Sequence, residues 1–239
     1  MIFIGDAHGE WAALQRKLGR LDVRGETIVQ VGDFGVGFGG AAGRARERAG
    51  LDAFDLFLAR TENTLLAIRG NHDDPAYFTR GAWGYERIRP VSDYTVDTLD
   101  GRKVLFAGRA ISIDRRQRVV GRDYWPDEGF RLDEGALARL DLDGLWGVVT
   151  HSAPAVAPPA FPASADPLVR TFARAEPGLL DDLDGERRDL TRLYELVARR
   201  SRPTYWIYGR FHAHATSELD GTRFIMLDVL EARSIRYSK

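Results

Sequence analysis

Cysteine is absent from this sequence of 239 residues. The absence excludes disulfide bonds, zinc sites with thiolate ligands and cysteine nucleophiles, so metal chemistry would have to use His, Asp, Asn and Glu side chains. An excess of charge is also absent, because 34 Lys and Arg residues face 35 Asp and Glu residues, for a formal net charge of -1. No overall field attracts a polyanion, so we do not expect long nucleic acids as partners.

Long hydrophobic runs are missing as well. No segment approaches the 18 apolar residues typical of a membrane span, and the apolar run at residues 2–4 is too short for a signal peptide. We therefore expect a cytoplasmic protein that does not associate with membranes. Apolar residues still make up 44% of the chain, which is enough for a substantial core, and we expect a single domain over residues 1–239.

The first part of the chain alternates between strand and helix patterns. Apolar stretches at residues 2–4, 27–31 and 65–68 predict buried strands, and helical spacing appears near Trp11 and over residues 51–59. This alternation is typical of parallel α/β layering, in which side chains just past the carboxyl ends of the strands gather at one edge of the sheet. The polar residues that follow these strands should therefore be neighbours.

The pattern changes beyond residue 90. Two β-rich runs, 94–99 and 103–107, flank Asp100-Gly101, a hairpin signal that predicts a second sheet. Further strands are predicted at 145–150, 205–208 and 222–229, and a helix at 179–200. Residues 152–178 hold six of the ten prolines and predict an extended loop. A loop of this length is either a lid over a pocket or a simple surface segment.

All five histidines follow predicted strands. His8 stands two residues after Asp6, a spacing that lets a carboxylate and an imidazole reach one cation, and Asp33 has two oxygens with which to bridge two cations. A single histidine at a strand end is more often a structural residue, and only the whole ordered set indicates a function. In chain order the blocks are Gly5-Asp6-Ala7-His8-Gly9, Gly32-Asp33, Gly70-Asn71-His72-Asp73, His151 and Gly209-Arg210-Phe211-His212.

This ordered set resembles the signature of the calcineurin-like metallophosphoesterases: Gly-Asp-x-His, Gly-Asp, Gly-Asn-His-Asp/Glu, a lone His and Gly-His-x-His. The resemblance runs from residue 5 to residue 212. It implies an α/β fold of two facing mixed β-sheets flanked by helices, a four-layer αββα sandwich. It also implies hydrolysis of a phosphomonoester or phosphodiester by a metal-activated hydroxide.

The resemblance further implies one or two divalent metal ions. Manganese is our first expectation, and iron, zinc, nickel or magnesium suit the same oxygen and imidazole donors. His72 would donate a proton to the leaving oxygen, with Asp73 orienting its ring. The implied ligands are Asp6, His8, Asp33 and His212 for the first ion, and Asp33, Asn71 and His151 for the second.

Arg210 departs from the family pattern, because it occupies the position of the first histidine in the last block. A guanidinium offers only donors and cannot coordinate a cation, so we expect a weakened second metal site. Three explanations remain open: Arg210 turns outward, its guanidinium replaces the missing cation and grips the phosphate, or His214 becomes a substitute ligand.

The substrate is less well defined than the reaction. We expect a small phosphoester, with nucleotides among the candidates. Arg115 and Arg116, in an arginine-rich stretch, either bind a phosphate or carboxylate of the substrate or charge the edge of a hairpin. Trp125 is either an aromatic wall or a packing residue. The alternative function is a catalytically impaired homologue that binds a phosphate-containing ligand or partner.

Overall fold

Two mixed β-sheets form the centre of the fold. The structure is a computed structural model that describes residues 1–79 and 83–235. In the first sheet the strand order is β11-β1-β2-β3-β4, with β1 to β4 parallel and β11 antiparallel to β1. Its strands are β1 (Ile2–Ile4), β2 (Thr27–Gln30), β3 (Thr64–Ile68), β4 (Ile88–Val91) and β11 (Ala232–Ser234).

The second sheet has the order β5-β6-β7-β8-β10-β9. The inner strands β6, β7, β8 and β10 are parallel, and the two edge strands are antiparallel to their neighbours. The strands are β5 (Thr95–Leu99), β6 (Arg102–Ala107), β7 (Leu145–Thr150), β8 (Tyr205–Tyr208), β9 (Ala215–Leu219) and β10 (Thr222–Met226).

Helices cover the outer faces of both sheets. None of the helices in the described part of the chain is both long and apolar enough to cross a bilayer. Within residues 1–79 and 83–235, three short 3-10 turns lie at Gly40–Gly43, Arg115–Gln117 and Ala163–Ala165. The α-helices are α1 (Trp11–Arg20), α2 (Arg44–Arg60), α3 (Pro75–Thr79), α4 (Glu134–Ala138), α5 (Pro167–Ala173) and α6 (Leu179–Arg200).

Alternation of side chains along the strands creates the layers. In β1, Phe3 packs in the core between the two sheets, whereas Ile2 and Ile4 pack in the cluster with α1 and α2. On the far side, Leu190 and Val197 of α6 pack against the second sheet. The order is helices, sheet, sheet, helices, and the predicted αββα sandwich is confirmed.

The proline-rich segment differs from its prediction. The prediction of an extended loop over residues 152–178 is wrong, because α5 lies within this range. The Asp166 side chain accepts hydrogen bonds from the backbone N–H groups of Leu168 and Val169, and Pro167 opens the helix. This N-cap is a local signal that proline content concealed.

Strand and helix boundaries show smaller differences. Helix α2 begins at Arg44 rather than at residue 51, and β10 ends at Met226 rather than at 229. Strands β4, β9 and β11 had no prediction, because they are short edge strands with exposed polar positions. These differences leave the site unaffected, since its residues follow β1, β2, β3, β7 and β8, which are all parallel strands.

Candidate metal centre

Four side chains from three distant blocks converge at the carboxyl edge of the sheets. One ligand atom from each lies within 4.8 Å of the others. The Nε2 atoms of His8 and His212 are 3.0 Å apart, and Nε2 of His212 is 3.2 Å from Oδ2 of Asp6. Nε2 of His8 is 3.9 Å from Oδ2 of both Asp6 and Asp33. The structure therefore brings together the four residues predicted for a first ion.

The chemistry of this cluster fits a divalent cation. Asp6 and Asp33 are 0% and 1% exposed, and buried carboxylates need a positive partner. Burial opposes ionisation of Asp33, but His151 and His72 outweigh it and hold the pKa of this carboxyl well below its usual range. Burial also lowers the pKa of His8, which favours the neutral imidazole that metals bind.

Glycines allow the loops to pack this closely. A Cβ atom on Gly70 would lie 2.1 Å from Oδ1 of Asp33, and one on Gly209 would lie 2.1 Å from Oδ1 of Asp6. No side chain fits at such distances. The Gly-Asn and Gly-Arg steps of the sequence blocks thus place the two carboxylates against neighbouring backbone.

A second set of donors meets on the other side of Asp33. Nε2 of His151 is 3.2 Å from Oδ1 of Asp33 and 3.3 Å from Oδ1 of Asn71. Nδ1 of His151 lies 2.9 Å from the carbonyl oxygen of Val31 and donates to it, which directs Nε2 toward the other two atoms. Asn71 is held by a 3.0 Å hydrogen bond from Nδ2 to Ser112 Oγ. All three predicted second-site ligands therefore lie together.

The charge of this second set favours a cation. Burial disfavours a charged imidazole, yet Asp33 and Asp6 raise the pKa of His151 to about 9. A metal ion competes with that proton for Nε2. Asp33 directs Oδ2 to the first set and Oδ1 to the second, so one carboxylate faces both sets of donors.

His72 lies at the rim of the centre. Its Nδ1 is 3.0 Å from Nδ1 of His8, and its Nε2 is 2.7 Å from Nη2 of Arg118. The Phe38 ring stacks on the imidazole, with centroids 4.4 Å apart. Burial lowers the pKa of His72 to about 4, and the charge of Arg118 contributes.

Asp73 makes different contacts from the predicted one with the His72 ring. Its carboxylate accepts hydrogen bonds from four backbone N–H groups in two loops, at 2.7 to 3.2 Å. Burial and the charge of Asp33 raise its pKa to about 6. Asp73 thus ties the loop after β2 to the loop after β3. The donors belong to Phe34, Gly35, Val36 and Gly70.

Arg210 turns inward. Its backbone N–H lies 3.1 Å from both carboxylate oxygens of Asp6, and Nη2 of its guanidinium donates to the carbonyl oxygen of Ile111. The side chain lines the cavity beside the centre. His214 lies outside the cluster, with Nδ1 2.9 Å from a carboxylate oxygen of Glu231. The structure therefore differs from two of the three explanations. Arg210 does not turn outward, and His214 does not enter the cluster.

The arginine-rich stretch contributes one arginine to the site, and it is Arg118. Its Nη1 donates to Ser112 Oγ at 3.0 Å, and its Nη2 lies 2.7 Å from both His72 Nε2 and Asp114 Oδ1. No sequence signal separates Arg118 from the other arginines nearby. The two predicted candidates contact residues 175–182 instead.

Those contacts are specific. Nη2 of Arg115 lies 2.7 Å from Glu176 and 2.5 Å from Asp182, and Nη1 of Arg116 donates to the carbonyl oxygen of Ala175 at 2.5 Å. Trp125 is 7% exposed, with its ring 6.3 Å from that of Phe38. It therefore packs behind the ring that stacks on His72.

Two buried carboxyl groups near the centre were not predicted. Glu128 accepts the N–H of Ser112 at 2.6 Å through Oε1, and its Oε2 lacks a partner among the described residues. Burial raises its pKa to about 7. Glu186 accepts the N–H groups of Ile111 and Phe130 at 2.8 and 3.1 Å. Neither glutamate has a sequence signal, because both positions depend on contacts between distant segments.

Comparison with known proteins identifies the family. The model of the calcineurin-like phosphoesterase family matches residues 1–175. The chain belongs to this family. It is accordingly a metal-dependent hydrolase of phosphoester bonds, and the family assignment from the sequence blocks is confirmed.

Two solved structures show a distant likeness to this phosphoesterase. Phosphopantetheinyl hydrolase from Mycobacterium tuberculosis is 14% identical, with 95% of this chain and 89% of that chain covered and a TM-score of 0.46. GAP50, the anchor in the inner membrane complex of Plasmodium, is 11% identical, with 95% and 71% covered and a TM-score of 0.35. A search of curated proteins found no significant match.

Proposed function

We propose that this phosphoesterase hydrolyses a small phosphomonoester or phosphodiester at a centre with one firmly held divalent ion and a second, weaker position. The observation that supports this most directly is the position of Asp33, whose two oxygens face two separate sets of donors. Asp6, His8, Asp33 and His212 would hold the first ion, and Asp33, Asn71 and His151 the second. Manganese is our first choice, with iron, zinc, nickel and magnesium as alternatives.

Such an ion supplies Lewis acidity, which lowers the pKa of water and polarises phosphoryl oxygens. The protein's own residues position the substrate and balance its negative charge. Asp33, His72 and His212 line a cavity together with Arg118 and Arg210. Two guanidinium groups offer planar, charged donors to the oxygens of one phosphate.

Arg210 takes on part of the role of the second cation. Its charge next to His151 works against that imidazolium, as the lowering effect of Arg210 on the His151 pKa indicates. The same charge repels a cation at the Asn71 and His151 position and attracts a phosphate anion. We therefore assign Arg210 to phosphate binding and expect the second metal position to fill only at high metal concentration.

His72 is our assignment for the proton donor. In the free protein its pKa is about 4, so the ring is neutral at pH 7. A phosphate dianion beside the ring would raise that pKa, because the negative charge stabilises the imidazolium and offsets Arg118. Once protonated, His72 would give its proton to the leaving oxygen as the bond from that oxygen to phosphorus breaks and the oxygen of the attacking hydroxide bonds to phosphorus, and it would regain a proton from solvent afterwards.

Turnover of p-nitrophenyl phosphate and bis-p-nitrophenyl phosphate tests the proposal. Protein treated with a chelator should be inactive, and Mn²⁺ should restore hydrolysis of at least one ester. Asp33→Asn should lower kcat/KM at least about 1000-fold, because it weakens both donor sets. Asp52→Asn is the matched control, since Asp52 is an exposed residue of α2.

The alternative, an impaired homologue that binds a phosphate-containing ligand, has its own outcome. Absence of turnover with all five metals, together with measurable nucleotide binding, would favour it over the hydrolase.

A further inference from the structure

An apolar chamber opens directly from the metal centre. Its volume is about 670 Å³, which falls in the usual range for sites that enclose organic ligands. The part of its lining that belongs to the metal centre and its rim consists of Asp33, His72, Arg118, Arg210 and His212. The rest of its wall is largely apolar. The main apolar side chains are Ile113, Phe161, Leu168, Val169, Phe172 and Met226.

The proline-rich segment supplies much of this wall, and a buried guanidinium fixes its course. Arg187 is 8% exposed and donates to four backbone carbonyl oxygens of the segment at 2.8 to 3.3 Å. The ion pairs from Arg115 to Glu176 and Asp182 fasten the far end of the segment. Because Arg187 and Arg115 bind groups of the protein, they hold this wall in place without a ligand, and the chamber is preformed. The carbonyls belong to Ala153, Pro154, Ala157 and Phe161.

Most polar side chains in the wall beyond the metal centre have partners in the protein. Asp114 pairs with Arg118, and Asp166 caps α5. Glu186 accepts two backbone N–H groups. Few free donors or acceptors remain for the hydroxyl groups of a ribose or the edge of a base, and polar ligand groups left unpaired there would be costly.

Two apolar side chains at the chamber are unusually exposed. Phe161 is 47% exposed and Leu168 is 57% exposed, although both line the chamber. Both belong to the segment whose course Arg187 fixes. Exposed apolar surface that continues into a pocket is typical of a binding site for an apolar group.

Building on the proposed function, we infer that the chamber binds an apolar group of the substrate, so that the substrate class is amphiphilic phosphoesters. The phosphate would lie at the end with Arg118 and Arg210, and an alkyl or aryl group would lie along the wall formed by residues 158–172. The contacts of the arginines support this orientation, since Arg118 lies against His72 and the backbone of Arg210 lies against Asp6. The third guanidinium of the lining, that of Arg187, is bound to carbonyl oxygens of residues 153–161.

The rates of hydrolysis of ethyl, butyl and octyl phosphate test the inference. They are measured by the release of inorganic phosphate, at ester concentrations below the micellar concentration of octyl phosphate. Each buried methylene should raise kcat/KM roughly fourfold until the chamber is full, and the octyl ester should exceed the ethyl ester at least about tenfold. A second series, of ethyl, butyl and octyl p-nitrophenyl phosphate, makes the same test if the enzyme accepts only diesters.

Leu168→Asp places a charge in the wall at an exposed position, so the variant should fold. It should lower the ratio of octyl to ethyl kcat/KM at least about tenfold. Leu56→Asp is the matched control, because Leu56 is a leucine of α2 with 51% exposure and lies outside the chamber. The control should keep the wild-type ratio.

The outcomes separate the two proposals. Measurable hydrolysis with equal kcat/KM for all chain lengths would overturn the inference that the chamber binds an apolar group, and would leave the proposed hydrolase function in place. If no ester is hydrolysed, the proposed function fails. Calorimetry with octylphosphonate and ethylphosphonate on the Mn²⁺-loaded protein then tests whether the chamber binds an apolar group. Binding of octylphosphonate at least tenfold tighter supports the chamber, and equal affinities overturn it.

Discussion

Nη2 of Arg118 lies 2.7 Å from Nε2 of His72, and the residues are 46 positions apart in the chain. The guanidinium also contacts Ser112 and Asp114, which hold it against the metal centre. Ser112 in turn accepts a hydrogen bond from Asn71, a ligand candidate. The position of Arg118 therefore depends on the same loops that shape the metal centre.

Arg118→Ala should reduce kcat/KM about 100-fold with little change in metal content. The reason is that the variant removes a charged donor for the phosphate and leaves the ligand atoms in place. Arg118→Lys keeps the charge but loses the planar fork, so its activity should fall between those of Arg118→Ala and the wild type. Arg192→Ala, at an exposed position of α6, is the control. Equal activities of Arg118→Ala and the control would remove Arg118 from the phosphate site.

The ligand blocks could be found in the sequence because each one is local. Asp6 and His8, or Asn71 and His72, are fixed by a strand, a glycine and two or three following residues. The order of the blocks then indicated that the strand ends meet. Through the family resemblance, such local signals sufficed for the fold class, and they named the side chains that the structure brings together on the two sides of Asp33.

Other parts of the site depend on contacts between distant segments. Arg115 and Arg118 stand three positions apart in the same stretch, yet Arg115 pairs with Glu176 and Arg118 with His72. The side chain of Glu128 is buried only because the segments around Ser112 fold over it. No local pattern records these pairings, since they depend on how the loops pack.

Gly70→Ala should disrupt the metal centre from outside the ligand set. The added Cβ atom would lie 2.1 Å from Oδ1 and 2.2 Å from the backbone N of Asp33, so this residue has to move. We expect at least a tenfold loss of Mn²⁺ affinity by calorimetry. Gly19→Ala is the matched control, because a Cβ atom at Gly19 meets nothing within 4 Å. That control should keep metal affinity and raise stability by about 1 kcal/mol, as Ala replaces Gly within α1.

Arg210→His should restore the family pattern at the second metal position. It removes a guanidinium charge and adds a neutral donor, so manganese content should rise from about one toward two ions per chain. Elemental analysis after dialysis against Mn²⁺ measures this, and activity should increase with it. An unchanged metal content would show that Arg210 does not weaken the second position.

His214→Ala accompanies that variant and tests whether His214 is a ligand. Because His214 pairs with Glu231, its removal should leave metal content unchanged. A loss of one ion in His214→Ala would make His214 a ligand in solution.

Glu128→Gln should change how stability depends on pH. Burial raises the pKa of Glu128 from its usual 4.5 to about 7, so folding favours the protonated carboxyl. The stability that this proton supplies is fully present below pH 4.5 and is lost as the pH rises through 7. A shift of this size corresponds to at most about 3 kcal/mol between pH 4.5 and pH 8.

Glutamine cannot ionise, and its Oε1 can still accept the N–H of Ser112. Urea unfolding in the presence of a chelator should therefore give the variant a growing advantage over the wild type from pH 5 to pH 8. Glu134→Gln, at a carboxylate that is 57% exposed, should show no such trend. If the stability difference between Glu128→Gln and the wild type were the same at every pH, the buried carboxyl would have to titrate near its ordinary value. In that case solvent, or the charges of Arg118 and Arg210, would stabilise the ionised carboxylate enough to cancel the effect of burial on its pKa.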